Sequence, residues 1–513
     1  MRRIRGAAGR TFRSLRVRNY RFYFVGQIIS MSGTWMQSVG QAWLVLKLGG
    51  GGLALGLVTA LQFTPILVAG PWGGVIADRV DKRRLIAFTQ GTAGVLALVL
   101  GVLTVTGAVQ LWMVYVMAVL LGAVNLVDMP SRQSFVMEMV GREDVANAVS
   151  LNSVVVNAAR IVGPALAGVL IATVGIGICF LLNSASYIAV VVAFVKMRPE
   201  ELQRGEPVPR KRGQLREGFR YVWSKSELRT PLLLMAVVGT LAYNFSVVFP
   251  LLVRDSFGGG AGAYGALYSV MGAGAVTGGL YIAMRARATR ALLAVSMLAL
   301  GATLLAAAFA PSFVLEMVAM LPIGAASTAF IATSNSLLQL ESSGQMRGRV
   351  MALFSMVFLG STPIGGPFIG WVSERFGPRE ALGLGAVATI LASMAAIWSV
   401  RRGAAPYSDG REVDRGRGWL PAPTARFHAD GERHERLRQR DRGGDRAAPG
   451  HEGPGRAHRS AGRGLEPQLV DLPVGRWAEA GRDDPAASRP DGVGHRDRRS
   501  AGRGPKRQHP HVA

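Results

Sequence analysis

Within the stretch GQIISMSGTWMQSVGQAW, residues 26–43, the side chains of Gln27, Ser30, Thr34, Ser38 and Gln41 recur every three or four positions. On a helix that spacing gathers five hydrogen-bonding groups on one face. Such a face can recognise a solute, but it holds no nucleophile, base or metal ligand. Trp35 and Trp43 add flat apolar surface beside it. Ionisable side chains in the apolar part of the chain are few, and Asp78, Arg79, Arg83, Asp128, Glu138, Arg160 and Glu316 are the ones worth weighing. All seven histidines lie beyond residue 427, and Cys179 is the single cysteine. Neither an imidazole centre nor a multi-thiolate metal site can be assembled from that set. The expectation is no metal, no cofactor and no enzyme. These groups bind and move something rather than transform it.

The elements that must position them are membrane helices. Half of the 513 residues are hydrophobic and the mean hydropathy is +0.27. Several apolar runs exceed the roughly 18 residues that mark a spanning helix. Twelve spans are predicted, over 20–46, 53–76, 85–106, 109–130, 147–171, 174–195, 230–253, 262–284, 291–310, 312–334, 349–371 and 379–400. The basic N-terminus MRRIRGAAGRTFRSLRVRNYRF is followed by no short apolar segment with a small-residue cleavage site, so the first span is read as retained. DRVDKRR (78–84), 131–146, 196–229, RARATR (285–290) and QMRGR (345–349) are basic or mixed, whereas TGAVQ (106–110) and TVGIG (173–177) carry no charge. The alternation predicts a multi-pass cell-membrane protein with both termini in the cytoplasm. A net charge of +26 would otherwise point to nucleic acid. Placed as it is, much of the excess orients the chain, and no nucleic-acid partner is expected.

The segment 196–229 divides the spans six and six. The expected organisation is a basic cytoplasmic N-terminus (1–19), a six-helix bundle (20–195), a cytoplasmic linker (196–229) with a short helix near 215–225, a second six-helix bundle (230–402) and a tail (403–513). The halves repeat weakly: VGPALAG (162–168) matches GGPFIG (365–370), AVSLNS (148–153) matches VMALFS (350–355), and WGGVIADR (72–79) matches TGGLYIAMR (277–285). The offsets agree to within a few residues, as duplicated halves of a secondary transporter would. From residue 401 the composition turns Arg-rich with one lysine and no Ile or Met, which predicts a disordered tail. An anionic-lipid or nucleic-acid binder, or out-of-frame translation of a GC-rich gene, are the other readings of it.

GGVIADRVDKRR (73–84) raises an electrostatic question. Asp78 falls at the C-terminal end of the second span, a pole that already carries partial negative charge. It therefore needs a cation or the N-terminal pole of another helix, and RGRVMAL (347–353) at the start of the eleventh span offers both. Gly74 would allow close approach. A charged loop that only fixes topology is the alternative. Arg160 is the other intramembrane charge, costing about 2.5–3.5 kcal/mol at mid-bilayer. It could pair with an acid, attract an anionic substrate, or bond carbonyls near a bend at Gly163–Pro164.

Gly74-x-x-x-Asp78-Arg79-x-x-Lys82-Arg83-Arg84 resembles the signature loop of the major facilitator superfamily, and RIVGPALAG (160–168), with Arg160, Gly163, Pro164 and Gly168, resembles its antiporter motif. DMPSRQSFVMEMVGREDVANAVSLNSVVVNAARIVGPALAG and RGRVMALFSMVFLGSTPIGGPFIG resemble its drug and siderophore exporter branch, of the enterobactin-exporter-like, transmembrane secretion effector type. The resemblance covers about residues 12–402. It implies an all-α membrane fold of two six-helix bundles related by a pseudo-two-fold axis. It also implies a cytoplasmic latch of Gly74, Asp78, Arg79 and Arg83, with Asp78 on the start of span eleven and Arg79 on Asp128. Two positions depart from the pattern: Asp81 stands where glycine is usual, and the second copy, GGLYIAMRARATR, has no acid. The first span of each triplet would line a central cavity, adding Asn125, Tyr243, Asn244 and Glu316 to the polar face of span 1. Interhelical hydrogen bonding alone is the competing role for these groups.

The implied function is proton-coupled efflux of small amphipathic molecules (drugs, siderophores or secondary metabolites) by a monomeric alternating-access transporter. Its partners would be the substrate, protons and membrane lipids. An importer of a polar nutrient, or a regulatory membrane protein on the same fold, are the alternatives.

Overall fold

The computed structural model describes residues 12–203, 214–285 and 288–403. The predicted tail, 403–513, lies outside them from residue 404 onward, as does the side chain of Asp78. Among the described residues every regular element is a helix. In chain order these are α1 (Arg18–Lys47), α2 (Gly52–Arg79), α3 (Lys82–Val105), α4 (Leu111–Thr173), α5 (Ile176–Val195), α6 (Gln214–Ser224), α7 (Ser226–Leu241), α8 (Phe245–Leu251), α9 (Ala261–Met284), α10 (Arg290–Ala308), α11 (Phe313–Glu341), α12 (Arg347–Gly360), α13 (Thr362–Arg375) and α14 (Pro378–Gly403). Short 3-10 turns occupy Arg13–Arg16 and Pro199–Glu201, and a π turn occupies Leu252–Ser256. Among the described residues, ten helical stretches are long and apolar enough to cross a membrane.

Local chemistry sets the boundaries. Asp81, where a glycine was the expectation, N-caps α3 by accepting the Arg84 amide at 3.1 Å. Asp81 therefore starts α3. Thr289 and Ser312 cap α10 and α11 in the same way. The 63 residues of α4 turn sharply at Gly141, whose φ of 72° and ψ of 178° suit a residue without Cβ.

Two predicted spans are interrupted. The seventh ends its first helix at Leu241 and resumes at Phe245, and Asn244 donates to the freed Thr240 carbonyl at 2.7 Å. The eleventh divides at Ser361, where Pro363 brings no backbone N–H. The interruptions face one another, because a Cβ on Gly239 would collide with Ser361 and one on Gly365 with the Thr240 carbonyl. Apolar periodicity survives such breaks, so the sequence reads as one span.

Helices α1 to α5 pack on one another, as do α7 to α14, and the two groups meet along α2 with α13 and α4 with α9. On α1, Gly26, Gly33 and Gly40 recur every seven residues and seat α5. The helix ends separate into two faces. The proximal face carries the linker and the basic connections, and the distal face carries the connections at 48–51, 106–110, 174–175 and 258–260.

Candidate functional site

Where the two groups meet near mid-helix, the side chains are aromatic. Trp35 of α1 and Tyr268 of α9 have ring centroids 6.3 Å apart. Tyr268 continues to Tyr264 (5.6 Å) and Phe249 (5.9 Å), Trp43 stacks on Tyr264 (6.4 Å), and Phe249 stacks on Phe245 (5.0 Å). Tyr243, beside Phe245, reaches Phe330 and Phe358. The interruption at Ala242–Asn244 turns these rings toward the other group of helices. Discontinuous helices of this kind build solute sites near the midplane of transporters.

One cation enters this wall. The Arg160 guanidinium lies 5.1 Å from the centre of the Trp35 ring. Its Nε is buried without a hydrogen-bond partner, and Arg160 forms no ion pair among the described residues. Gly163 holds α4 close to Trp35, since a Cβ there would lie 2.6 Å from the Trp35 Cβ. Gly168 faces Gly262 of α9, and Ser269 Oγ donates to the Ile161 carbonyl at 2.9 Å. Gly163, Pro164 and Gly168 thus sit where helices cross, and Arg160 alone of that motif offers a charge.

The polar face of α1 divides. Gln27, Ser30 and Gln41 are buried, whereas Thr34 and Ser38 are exposed and return their hydroxyls to carbonyls four residues back. Gln27 Oε1 accepts from Arg132 at 3.2 Å, and its Nε2 has no partner. Gln37, absent from the predicted stripe, accepts from Asn183 at 2.6 Å and joins α1 to α5. Asn125 is half-buried on α4. Asn244 is buried with Oδ1 unpartnered, and Tyr243 donates to the Ser327 carbonyl at 3.0 Å. Glu316 is fully buried, and neither carboxyl oxygen has a hydrogen-bond partner.

The signature-loop residues hold to their own group of helices. Asp128 is not engaged by Arg79, which is exposed. Arg132 Nε lies 2.7 Å from Asp128 Oδ2, an ion pair not aligned as a hydrogen bond, while Oδ1 accepts from Thr89 (2.7 Å) and Gln90 (3.0 Å). Arg132, one helical turn after Asp128, is the nearer cation by construction. Arg83 caps α5 by donating to the Phe194 and Val195 carbonyls at 2.7 and 3.0 Å. Lys82 pairs with Glu138, and Gly74 is buried within α2. At the start of α12, Arg349 pairs with Glu217 of α6 at 2.6 Å.

Residues 9–416 match the family model described as transmembrane secretion effector. The chain belongs to that family of major facilitator transporters. The transporter is 24% identical to the staphyloferrin A transporter of Staphylococcus aureus over 384 residues, 73% of this chain and 94% of that one. It is 25% identical over 347 residues to the enterobactin exporter EntS of Shigella flexneri, covering 67% of this chain and 78% of that one. The multidrug efflux pump Tap of Mycolicibacterium fortuitum is 26% identical over 368 residues, 67% of this chain and 87% of its own. Among solved structures, a bacterial homolog of the human lysosomal transporter Spinster, inward-facing and unoccupied, superposes with a TM-score of 0.62. At 15% identity over 75% of this chain and 97% of that one, the likeness shows the shared fold.

Sequence reading missed Arg132, Tyr264, Tyr268 and Phe249 in this transporter. Arg132 had a signal, its four-residue spacing from Asp128. The aromatics had none, because a ring on a membrane helix reads equally as lipid-facing or core.

Proposed function

We propose that the protein exports small amphipathic molecules by alternating access, driven by proton exchange. The observation that carries this reading is the aromatic wall with Arg160 between the two groups of helices, beside interrupted helices and close to mid-helix. A polar nutrient would call for several acids and bases there, and Arg160 is the one charge on that wall among the described residues. The functions of the relatives, enterobactin export and multidrug efflux, agree with it.

Twelve spans follow if α4 counts as two at Gly141 and the 30-residue α1 counts despite its polar face, because α1 reaches about 45 Å. A pseudo-two-fold relation is supported by parallel packing: Gly73 meets the Leu126 carbonyl of α4, and its sequence counterpart Gly278 meets the Ala325 carbonyl of α11. With both termini cytoplasmic, the distal face is the outer one. There Gly52 lies on Gly370, Gly56 on Gly366 and Gly168 on Gly262, which supports a state with the outer side shut. A single chain then suffices for the cycle. Of Asp128, Glu138 and Glu316, Glu316 is the acid with both oxygens unpartnered, and it is our candidate for the exchanged proton.

The deciding experiment is accumulation in a pump-deficient bacterial host, with a panel of dyes, antibiotics and siderophores and with the proton gradient intact or collapsed. Export predicts lower accumulation that rises when the gradient is removed, and loss of that response in Glu316→Gln. Higher accumulation of a polar nutrient would establish import instead. No change for any compound at confirmed membrane abundance would favour a non-transporting role.

A further inference from the structure

We infer that Arg160, Trp35 and Tyr268 form an anion subsite that takes a planar oxyanion attached to a flat aromatic or unsaturated body. The inference deepens the transport reading of this same wall and rests on it. The argument begins with what Arg160 lacks. A guanidinium carries five N–H donors and stays charged. Here Nε is sealed from solvent without an acceptor, and no carboxylate pairs with the group among the described residues. Among the described residues, the ionisable groups close enough to act on it electrostatically are the phenols of Tyr268 and Tyr243, neither of which offers a resident counter-charge.

The Trp35 face, 5.1 Å away, attracts the cation but accepts none of its hydrogen bonds in-plane. A guanidinium left in that state inside a membrane protein is costly, and such groups mark substrate pathways. What would complete it is planar and anionic: a carboxylate takes two guanidinium donors in parallel. The surroundings define the rest of the ligand. Tyr268, Phe249 and Phe245 continue the wall from Trp35 with ring-to-ring spacings of 5.0–6.3 Å, a surface on which a second ring can stack. Position matters as well. The Arg160 carbonyl sits 3.0 Å from where a Gly272 Cβ would lie, so the cation stands on the seam between the two groups of helices. An anion bound there would touch both moving parts.

Three probes that share one ring system test this: 2-naphthoate, its methyl ester and 2-naphthylmethylammonium. Binding to the full-length protein in zwitterionic nanodiscs is measured by calorimetric titration. The expectation is that the wild type binds 2-naphthoate at least ten-fold tighter than the ester and that the ammonium binds weakest. In Arg160→Gln the preference over the ester should collapse to about one, and in Arg160→Lys part of it should survive. Equal binding of the three probes to the wild type, or no 2-naphthoate binding at millimolar concentration, overturns the inference. So does a preference that persists in Arg160→Gln. Because the readout is a ratio within one protein, partial misfolding of a variant does not imitate the result, and the wild-type ratio decides alone should Arg160→Gln not fold. Failure of export is separable: intact anion preference without cellular efflux would sink the export reading only, and efflux of cations without anion preference would sink this one only.

Discussion

The amide of Leu53, in the first turn of α2, donates to Glu374 Oε2 in the last turn of α13 at 2.9 Å, joining the two groups of helices at the distal face. The run Gly49–Gly52 gives α2 no capping side chain of its own, so a residue from across the interface supplies it. Glu374 meanwhile sits at the unfavourable pole of its own helix, and the N-terminal pole of α2 relieves it. Each helix end corrects the other. The bond is solvent-exposed, so about 1 kcal/mol is a fair size, a factor of about five in the ratio of distal-closed to distal-open states. Glu374→Ala should shift that ratio toward open, and Glu374→Gln, which keeps an acceptor, should shift it less. Distances between spin labels at Leu57 and Phe368 read the populations directly. An unchanged distribution would remove Glu374 from the gate.

Glycine contacts beneath that bond make a sharper test. A Cβ at Gly56 would collide with the Gly366 carbonyl, which is backbone and cannot swing away. Gly56→Leu should therefore hold the distal face open and abolish efflux while membrane abundance stays normal. Gly91, where a Cβ meets nothing, is the control, and Gly91→Ala should transport like the wild type. Normal efflux by Gly56→Leu would mean that this contact is not part of the closed gate.

The Asp128–Arg132 pair is buried, so breaking it should register as instability before it registers as a transport defect. Asp128→Ala leaves Arg132 unpaired and removes the acceptor for Thr89 and Gln90, a loss of about 3–5 kcal/mol. Asp128→Asn keeps an acceptor for both and should lose less. Thermal unfolding in detergent ranks the two. The double variant Arg79→Asp with Asp128→Arg should not recover stability, because Arg132 would then face a second cation. Recovery would reinstate Arg79 as the partner.

How much of this was legible depends on the kind of signal. Helix positions followed from apolar run length, which is a one-dimensional property. The Asp78 argument, an acid at a helix C-terminus seeking another helix's N-terminus, applies equally to Glu374. Applied there, it would have found a bond the structure contains. In this structure Asp128 is held by Arg132, whose four-residue spacing was legible in the sequence, and Arg79 is exposed. The breaks at Ala242–Asn244 and Ser361 were hidden because Asn and Ser substitute for missing backbone bonds without disturbing hydropathy. Of the aromatic wall only Trp35, Trp43 and Tyr243 were legible, since which rings face one another is settled only when helices from both halves meet.

Partner exchange at the start of α12 can be tested through Arg349. In this structure it is held by Glu217 of the linker helix, whereas the expectation from the sequence is that this segment serves Asp78. If Asp78 takes the same guanidinium when the proximal side closes, the two acids compete for it. The pair is partly exposed, and the bias is therefore about 0.2–1 kcal/mol, up to about five-fold in population. Glu217→Ala should free Arg349 and raise the proximal-closed population. Asp78→Asn should lower that population and impair transport with little loss of folded protein. The double variant separates mechanisms. If Glu217 acts by withholding Arg349 from Asp78, then Glu217→Ala combined with Asp78→Asn should behave like Asp78→Asn alone. Additive shifts would mean that the two acids act independently, and an unchanged population in Glu217→Ala would make the α6 contact a passive one. Spin labels on the proximal ends of α3 and α12 supply the populations, and efflux at matched abundance supplies the functional counterpart.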